Sequence, residues 1–295
     1  MEEARLTASM EREHPYAGER VELATKHSKE SAIAPALAER LGLRVHTPLG
    51  LDTDALGTFT GEVERVGSPR EVAARKARLA LEVTGHWLGL ASEGSFGPHP
   101  VIPFVPADDE WLALVDDRRG IVVYERFISL ETNFGGVEVR PEDDLTPFLA
   151  RARFPSHGLI VRPEGPLRLD VLYKGVTDSA TLRKAVGRCA ALSPQRRARV
   201  ETDMRAHQNP TRMAVIAEVA RRLALRLERQ CPACGCPGWG MVETAPGLPC
   251  EACGTATDLA LHEVWLCADC DKRQERPRAD GRTHASAEHC PYCNP

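Results

Sequence analysis

Between residues 20 and 230, short apolar runs alternate with longer stretches of helical periodicity. Val21-Glu22-Leu23-Ala24-Thr25 reads as a first strand. The loop Lys26-His27-Ser28-Lys29 follows, and then a helix to about Leu41, with Ile33, Leu37 and Leu41 on one face and Gly42 as its stop. Pro35 suits that helix only in its first turn, which makes Ser31 the expected cap. Leu43 to His46 suggests a second strand. The stretch from Ser68 to Pro98 organises this half of the chain. Ser68 is an N-cap, Pro69 fits the first helical position, Glu71 completes a capping box and Gly85 ends the helix. Val72, Leu79, Ala80 and Val83 form its apolar stripe, and Lys76 sits inside that stripe, an odd place for a solvated charge. Leu88 to Ala91 is a short buried strand. It delivers Ser92-Glu93-Gly94-Ser95-Phe96-Gly97 as a Gly-rich acidic loop at its carboxyl end, where open α/β sheets bind ligands.

Further on, His99 to Pro106 is proline-rich. Trp111–Val115 and Ile121–Phe127 form a hairpin around a turn that includes Asp116 and Asp117. Glu142–Ala152 and Thr181–Leu192 read as helices, the second burying Cys189 as a core thiol. Gly158–Val161 and Leu169–Tyr173 read as strands. Arg199–Arg229 reads as a helical region broken at Asn209-Pro210, where Asn209 caps a new helix. His207, Asn209 and Arg212 there make either a helix–helix junction or a polar edge able to recognise a base. The order of elements predicts an α/β fold, a mixed sheet with flanking helices. Residues 1–20 are charged and lack an apolar signal-peptide core, so a flexible leader is expected there. Leu51 to Val66 reads as a loop.

Nine of the ten cysteines follow residue 230. Eight of these form four CxxC knuckles, Cys231/Cys234, Cys250/Cys253, Cys267/Cys270 and Cys290/Cys293, and Cys236 is left over. Gaps of 15, 13 and 19 residues separate successive pairs. Four thiolates make a closed tetrahedral zinc site. Gaps of about 15–20 residues favour sequential pairing, first knuckle with second and third with fourth, over a nested arrangement. Two structural Zn²⁺ ions and a small all-β double zinc ribbon over 231–295 are therefore expected. Metal-bound rather than disulfide-bonded cysteines point to a reducing cytoplasm. No apolar run reaches the roughly 18 residues of a membrane span. The net charge of −4 falls in the cysteine region, with nine acids against five Lys/Arg. That argues against nucleic-acid binding, although Lys272, Arg273, Arg276, Arg278 and Arg282 form a local basic strip.

Three motifs in the first half are similar to those of the inosine-triphosphate pyrophosphatase superfamily, which includes the Maf-like proteins. They are Ala24-Thr25-Lys26-His27-Ser28-Lys29, then Glu71-Val72-Ala73-Ala74-Arg75-Lys76-Ala77, then Leu90-Ala91-Ser92-Glu93-Gly94-Ser95-Phe96. The likeness covers about residues 20–130. It departs from the family pattern at Val72, which replaces an asparagine, at Ser92-Glu93, which replace an aspartate pair, and in a first loop one residue short. It implies an ITPase-like core over 21–130, an additional α/β segment over 131–230, and hydrolysis of a phosphoanhydride. By that likeness Glu71 and Glu93 would hold Mg²⁺, and Glu93 would orient the attacking water. Lys29 and Lys76 would bind the phosphate chain, with Thr25 in the first loop and the backbone of Gly94 and Ser95 cradling a phosphate. The whole chain also resembles a bacterial family of domains of unknown function with C-terminal zinc ribbons, which implies architecture and no activity. Three functions follow as expectations: a nucleotide-directed hydrolase, a non-enzymatic module that binds a phosphorylated small molecule and docks a protein partner through its ribbons, and a nucleic-acid binder.

Overall fold

The computed structural model describes residues 14–26, 28–51, 66–167 and 169–295. Most of the expected loop from Leu51 to Val66 lies outside them, as do His27 and the first 13 residues of the expected leader. The chain divides into two compact units. One comprises residues 20–37 and 45–224, and the other the chain up to Glu19 with residues 38–44 and 225–295.

The first unit contains a five-stranded mixed sheet in the order β2-β1-β3-β4-β5. Its strands are β1 (Arg20–Ala24), β2 (Arg44–His46), β3 (Leu88–Pro98), β4 (Pro106–Asp116) and β5 (Ile121–Ser129). β1 runs parallel to β3, with Ala24 opposite Ala91, and β3, β4 and β5 are antiparallel. Helix α1 (Glu30–Leu41) follows β1, and α2 (Pro69–Thr84) precedes β3. A second sheet, of order β6-β9-β7-β8, is built from β6 (Gly136–Val139), β7 (Leu159–Pro163), β8 (Tyr173–Val176) and β9 (Ala198–Thr202). Helices α3 (Thr146–Ala152) and α4 (Ser179–Leu192) pack on it through Phe148, Leu182, Val186 and Cys189. Helix α5 (Pro210–Glu228) is capped by the Asn209 side chain, which accepts from Arg212 N at 3.0 Å.

Several expectations need correction. The acidic segment Ser92–Gly97 is strand, not loop: β3 continues to Pro98, and β4 begins at Pro106, so the proline-rich segment is only the hairpin turn. Arg199–Thr202 is strand rather than helix. Ala198, Val200 and Thr202 are buried while Arg199 and Glu201 alternate with them, a period of two. β6 was not anticipated. Leu169–Val171 is a 3₁₀ turn, and its strand starts at Tyr173. Pro35 lies in the second turn of α1 rather than the first. In α2 the capping box and the Gly85 stop are present as expected, but the buried face is centred on Ala73, Ala77 and Ala80, and Val83 is exposed. Small alanines set the face because β3 approaches closely: a Cβ on Gly89 would sit 2.7 Å from the Ala77 carbonyl.

The second unit carries the three-stranded antiparallel sheet β10 (Gly240–Pro246), β11 (Ala260–Leu266) and β12 (Arg273–Pro277). Residues 14–19, the described part of the expected leader, belong to this unit. Tyr16 is fully buried, and the His14 ring is 2.9 Å from the Leu227 carbonyl. Among the described residues, no helix is long and apolar enough to cross a membrane.

Candidate functional site

β1 stops at Ala24, opposite Ala91, so the residues of β3 beyond Ala91 lie past the carboxyl end of its parallel neighbour. Two lysines from different parts of the chain bond adjacent residues of β3 here. Lys29, just before α1, donates to Ser92 Oγ at 2.9 Å. Lys76, on the inner face of α2, donates to Glu93 Oε2 at 2.7 Å. Ser92, Glu93, Lys29 and Lys76 are all buried.

The pleat sends these pairs to opposite faces of the sheet. Ala91 packs against Ala77 and Ala80 of α2, so Glu93, two residues on, faces α2 as well. Ser92, Gly94 and Phe96 face the other way and pair across the hairpin with Leu112, Glu110 and Asp108. On that face Arg212, near the start of α5, donates from Nε to Glu110 Oε1 at 2.6 Å and from Nη1 to the Met204 carbonyl at 2.6 Å. Arg212 and Glu110 are fully buried. Gly94 is a consequence of this pair. A Cβ there would lie 2.3 Å from Glu110 Oε1 and 2.7 Å from Arg212 Nη2, so no larger residue fits beneath the ion pair.

Six ionisable groups thus crowd one end of the sheet: Lys29, Lys76 and Arg212 with Glu93, Asp108 and Glu110. Burial, reinforced by Arg212, lowers the Lys29 ammonium to about 8. Burial and the Glu110 charge push the Asp108 carboxyl up to about 8. A cavity of about 640 Å³ opens beside the cluster, bordered by Glu93, Gly94, Ser95 and Phe96 of β3 and by Arg199 and Glu201 of β9. Phe96 stacks on Phe134 with ring centroids 5.9 Å apart, and the Arg212 guanidinium lies 5.1 Å from the Phe96 centroid.

Lys29, Lys76, Glu93, Gly94 and Ser95, named from the sequence, are therefore brought to this end of the sheet. Two others are not. Thr25 lines a different hollow of about 530 Å³ with Ser28, Ser31 and Thr47. Glu71 is exposed and occupied by the helix cap, accepting from Ser68 N at 2.8 Å and from Ser68 Oγ at 2.9 Å. Those bonds, the backbone one first, hold its carboxyl below the usual range. Glu71 and Lys76 are five positions apart on α2, hence about 140° apart around its axis. The pair Glu71 and Glu93 does not fit a shared Mg²⁺: one carboxylate is outside in a capping box, and the other is inside in an ion pair with Lys76. Asp108 and Glu110 were missed. Their run Asp108-Asp109-Glu110 reads as solvated, and the only signal was the alternation that continues into buried Leu112 and Leu114. His157, also unremarked, caps α5 by accepting at Nε2 from Thr211 N at 3.2 Å.

The cysteine region holds two groups of four sulfurs. Cys231, Cys234, Cys267 and Cys270 form one, and Cys250, Cys253, Cys290 and Cys293 the other, each with all sulfurs within 4.8 Å of one another. This overturns the sequential pairing: the first knuckle joins the third and the second joins the fourth. β10 and β11 form the hairpin that carries the first knuckle past the second to meet the third. Parallel bridging of Cys250 to Ala285 brings the last knuckle to the second. Sulfur separations of 3.8 and 3.6 Å in one group and 4.0 and 3.6 Å in the other match the edge of a tetrahedron, about 3.8 Å for Zn–S bonds of about 2.3 Å. The knuckles are shaped to receive a metal. Gly235 and Gly254 follow them at φ +75° and +73°, and amides such as Ala252 N and Asp269 N point at the sulfurs, both at 3.4 Å. The donor set fits two structural zinc ions held by thiolates alone. The basic strip nearby is largely engaged: Arg273 with Glu275, Arg278 and Arg282 with Asp280, and Arg276 stacked 4.0 Å from the centroid of Trp265.

This is a mixed α/β protein with a buried charge cluster at one end of its sheet and a C-terminal all-β region built on two four-cysteine groups. The family model described as Domain of unknown function (DUF6671) matches residues 76–295, and the chain belongs to that family. The match begins at Lys76, so Lys29 and the first β-α unit precede it. No curated protein matches the chain.

Proposed function

We propose that the α/β unit is a binding domain for a phosphorylated small molecule, taken up where β3 passes the carboxyl end of β1. The observation that carries this is that Lys29, just before α1, and Lys76 of α2 bond adjacent residues of one strand from its two faces, with Glu93, the partner of Lys76, at the wall of the cavity. Ammonium groups held in a poorly hydrated site attract a phosphate strongly, because little water screens them. The Gly94–Phe96 segment lies alongside them at the cavity wall. Binding without turnover is favoured over hydrolysis by the fate of Glu71, which leaves Glu93 as the only one of the two expected carboxylates near the lysines. In the second unit, two zinc ions take a structural role, because every position around each ion is filled by a thiolate.

Calorimetric titration of the zinc-loaded protein with inorganic pyrophosphate and a panel of nucleoside triphosphates tests this. Binding is expected, weakened at least tenfold by Lys76→Ala and by Lys29→Ala, and unchanged by Glu71→Ala. Absence of binding across the panel overturns the proposal. The hydrolase reading keeps one observation in its favour, the position of Glu93 at the cavity beside Lys76. Pyrophosphate release from any nucleotide, abolished by Glu93→Gln, would establish that reading instead.

A further inference from the structure

β4 places Asp108 and Glu110 two residues apart on one face, 1 % and 0 % exposed. Glu110 Oε1 is taken by Arg212. Glu110 Oε2 and both carboxyl oxygens of Asp108 are buried without a hydrogen-bond partner. An ionised carboxylate with neither oxygen bonded costs several kcal/mol in a dry interior, and a second carboxylate alongside adds to the cost. Retaining a proton removes both penalties and supplies an O–H donor among three acceptor oxygens that make no hydrogen bond, beside Arg212 Nη2, which makes none either. We propose that Asp108 and Glu110 carry a single negative charge between them, Asp108 keeping its proton, so that the six-group cluster presents a net positive charge to an incoming anion.

The other groups around Asp108 decide whether the proton stays. Glu110 on the same strand and Asp109 next in sequence favour it, whereas Arg212 from α5 and Lys29 from the start of α1 oppose it. Burial is the largest influence and outweighs the two cations. Ser129 of β5, directly across the strand pair, adds no charge. Lys76 and Glu93 lie on the opposite face, already paired with each other. Lys29, Lys76 and Arg212 then face only two ionised carboxylates, Glu93 and Glu110. The consequence for ligand uptake rests on the phosphate-binding proposal, but the protonation state does not, and it can be measured without ligand.

The experiment is a carbon-13 NMR titration of the zinc-loaded full chain labelled at aspartate side-chain carboxyls, with the Asp108 resonance assigned by its loss in Asp108→Asn. A midpoint near pH 8 is expected, against an ordinary value of 3.8. Titration together with the surface aspartates overturns the proposal. Glu110→Gln provides a second route if Asp108→Asn does not fold: removing the neighbouring charge is expected to move one high midpoint downward, and a midpoint unmoved by it overturns the shared-charge arrangement. Sulfate, a dianion throughout this range, is then added as the probe. By reciprocal linkage its binding is expected to raise the Asp108 midpoint further. A midpoint near 8 that sulfate leaves unmoved upholds the retained proton and counts against anion binding at the site.

Discussion

The two units are held together by different physics. The α/β unit buries a large apolar core, and it can bear the cost of charges such as Arg212 and Glu110 at zero exposure. The cysteine region buries few large apolar side chains beyond Trp239, Leu248 and Val264, and its knuckles sit near the surface with Cys234, Cys253 and Cys293 exposed. One unit therefore uses packing to hold an electrostatically costly site, and the other uses metal coordination in place of packing. The lesson is where each is fragile: the first at single buried charges, the second at its ions.

The largest effect expected from any perturbation is loss of zinc. Chelation should unfold the cysteine region while the β3–β4 hairpin and its neighbours persist, because small metal-built regions fold only with the ion bound. Proteolysis confined to residues after 230 checks it. The interleaved pairing sharpens this. The double variant Cys234→Ser with Cys267→Ser should lose one zinc and Cys234→Ser with Cys253→Ser both, as counted by native mass spectrometry. Loss of both ions from the first double variant and of only one from the second would restore sequential pairing.

In the α/β unit, Arg212→Ala should cost about 3–5 kcal/mol in denaturant unfolding, since it strands the Glu110 carboxylate in the core. Replacing both partners by apolar residues of similar volume should cost less than either single change. Equal costs would mean that the pair's attraction, rather than the stranded charge, matters. Gly94→Ala should cost about 1–3 kcal/mol by pushing that ion pair aside, again read by denaturant unfolding.

Smaller effects follow from titration. His157 is held neutral, its proton affinity lowered first by burial and then by Arg153. Its folded value lies below the ordinary 6.5 of the unfolded chain, so stability is full above 6.5 and declines as the pH falls from there through the folded value. His157→Ala should remove that slope at a cost of about 1 kcal/mol for the lost cap. Lys29 has the same sign at higher pH: with a folded value of about 8 against 10.5, stability rises across that interval. Lys29→Met should accordingly stabilise the protein at neutral pH while weakening anion binding. The smallest effect is that of Glu71→Ala, a slight drop in melting temperature with ligand affinity intact.

Local signals were legible where the chain's own neighbours suffice. The Ser68–Glu71 box, the Gly85 stop, the Asn209 cap and the Trp111–Phe127 hairpin need only a few adjacent residues. β9 was hidden because Arg199 and Glu201 suit a helix by propensity, and only the second sheet reveals their period of two. The length of β3 was hidden because Gly94 and Gly97 signal a loop, and only Glu110 and Arg212, 102 positions apart from each other, explain why Gly94 lies within a strand.

The sequence by itself determined the chemistry available: eight knuckle cysteines that commit one region to metal, and two lysines spaced from their helices so as to reach one strand. Tertiary structure alone decided the pairing of the knuckles, the exclusion of Glu71 and the inclusion of Asp108, Glu110 and Arg212. The reason is range. Caps, turns and periodicity are set by contacts a few residues apart, whereas the energy of a buried charge depends on which distant groups the fold places around it and how much water it leaves there.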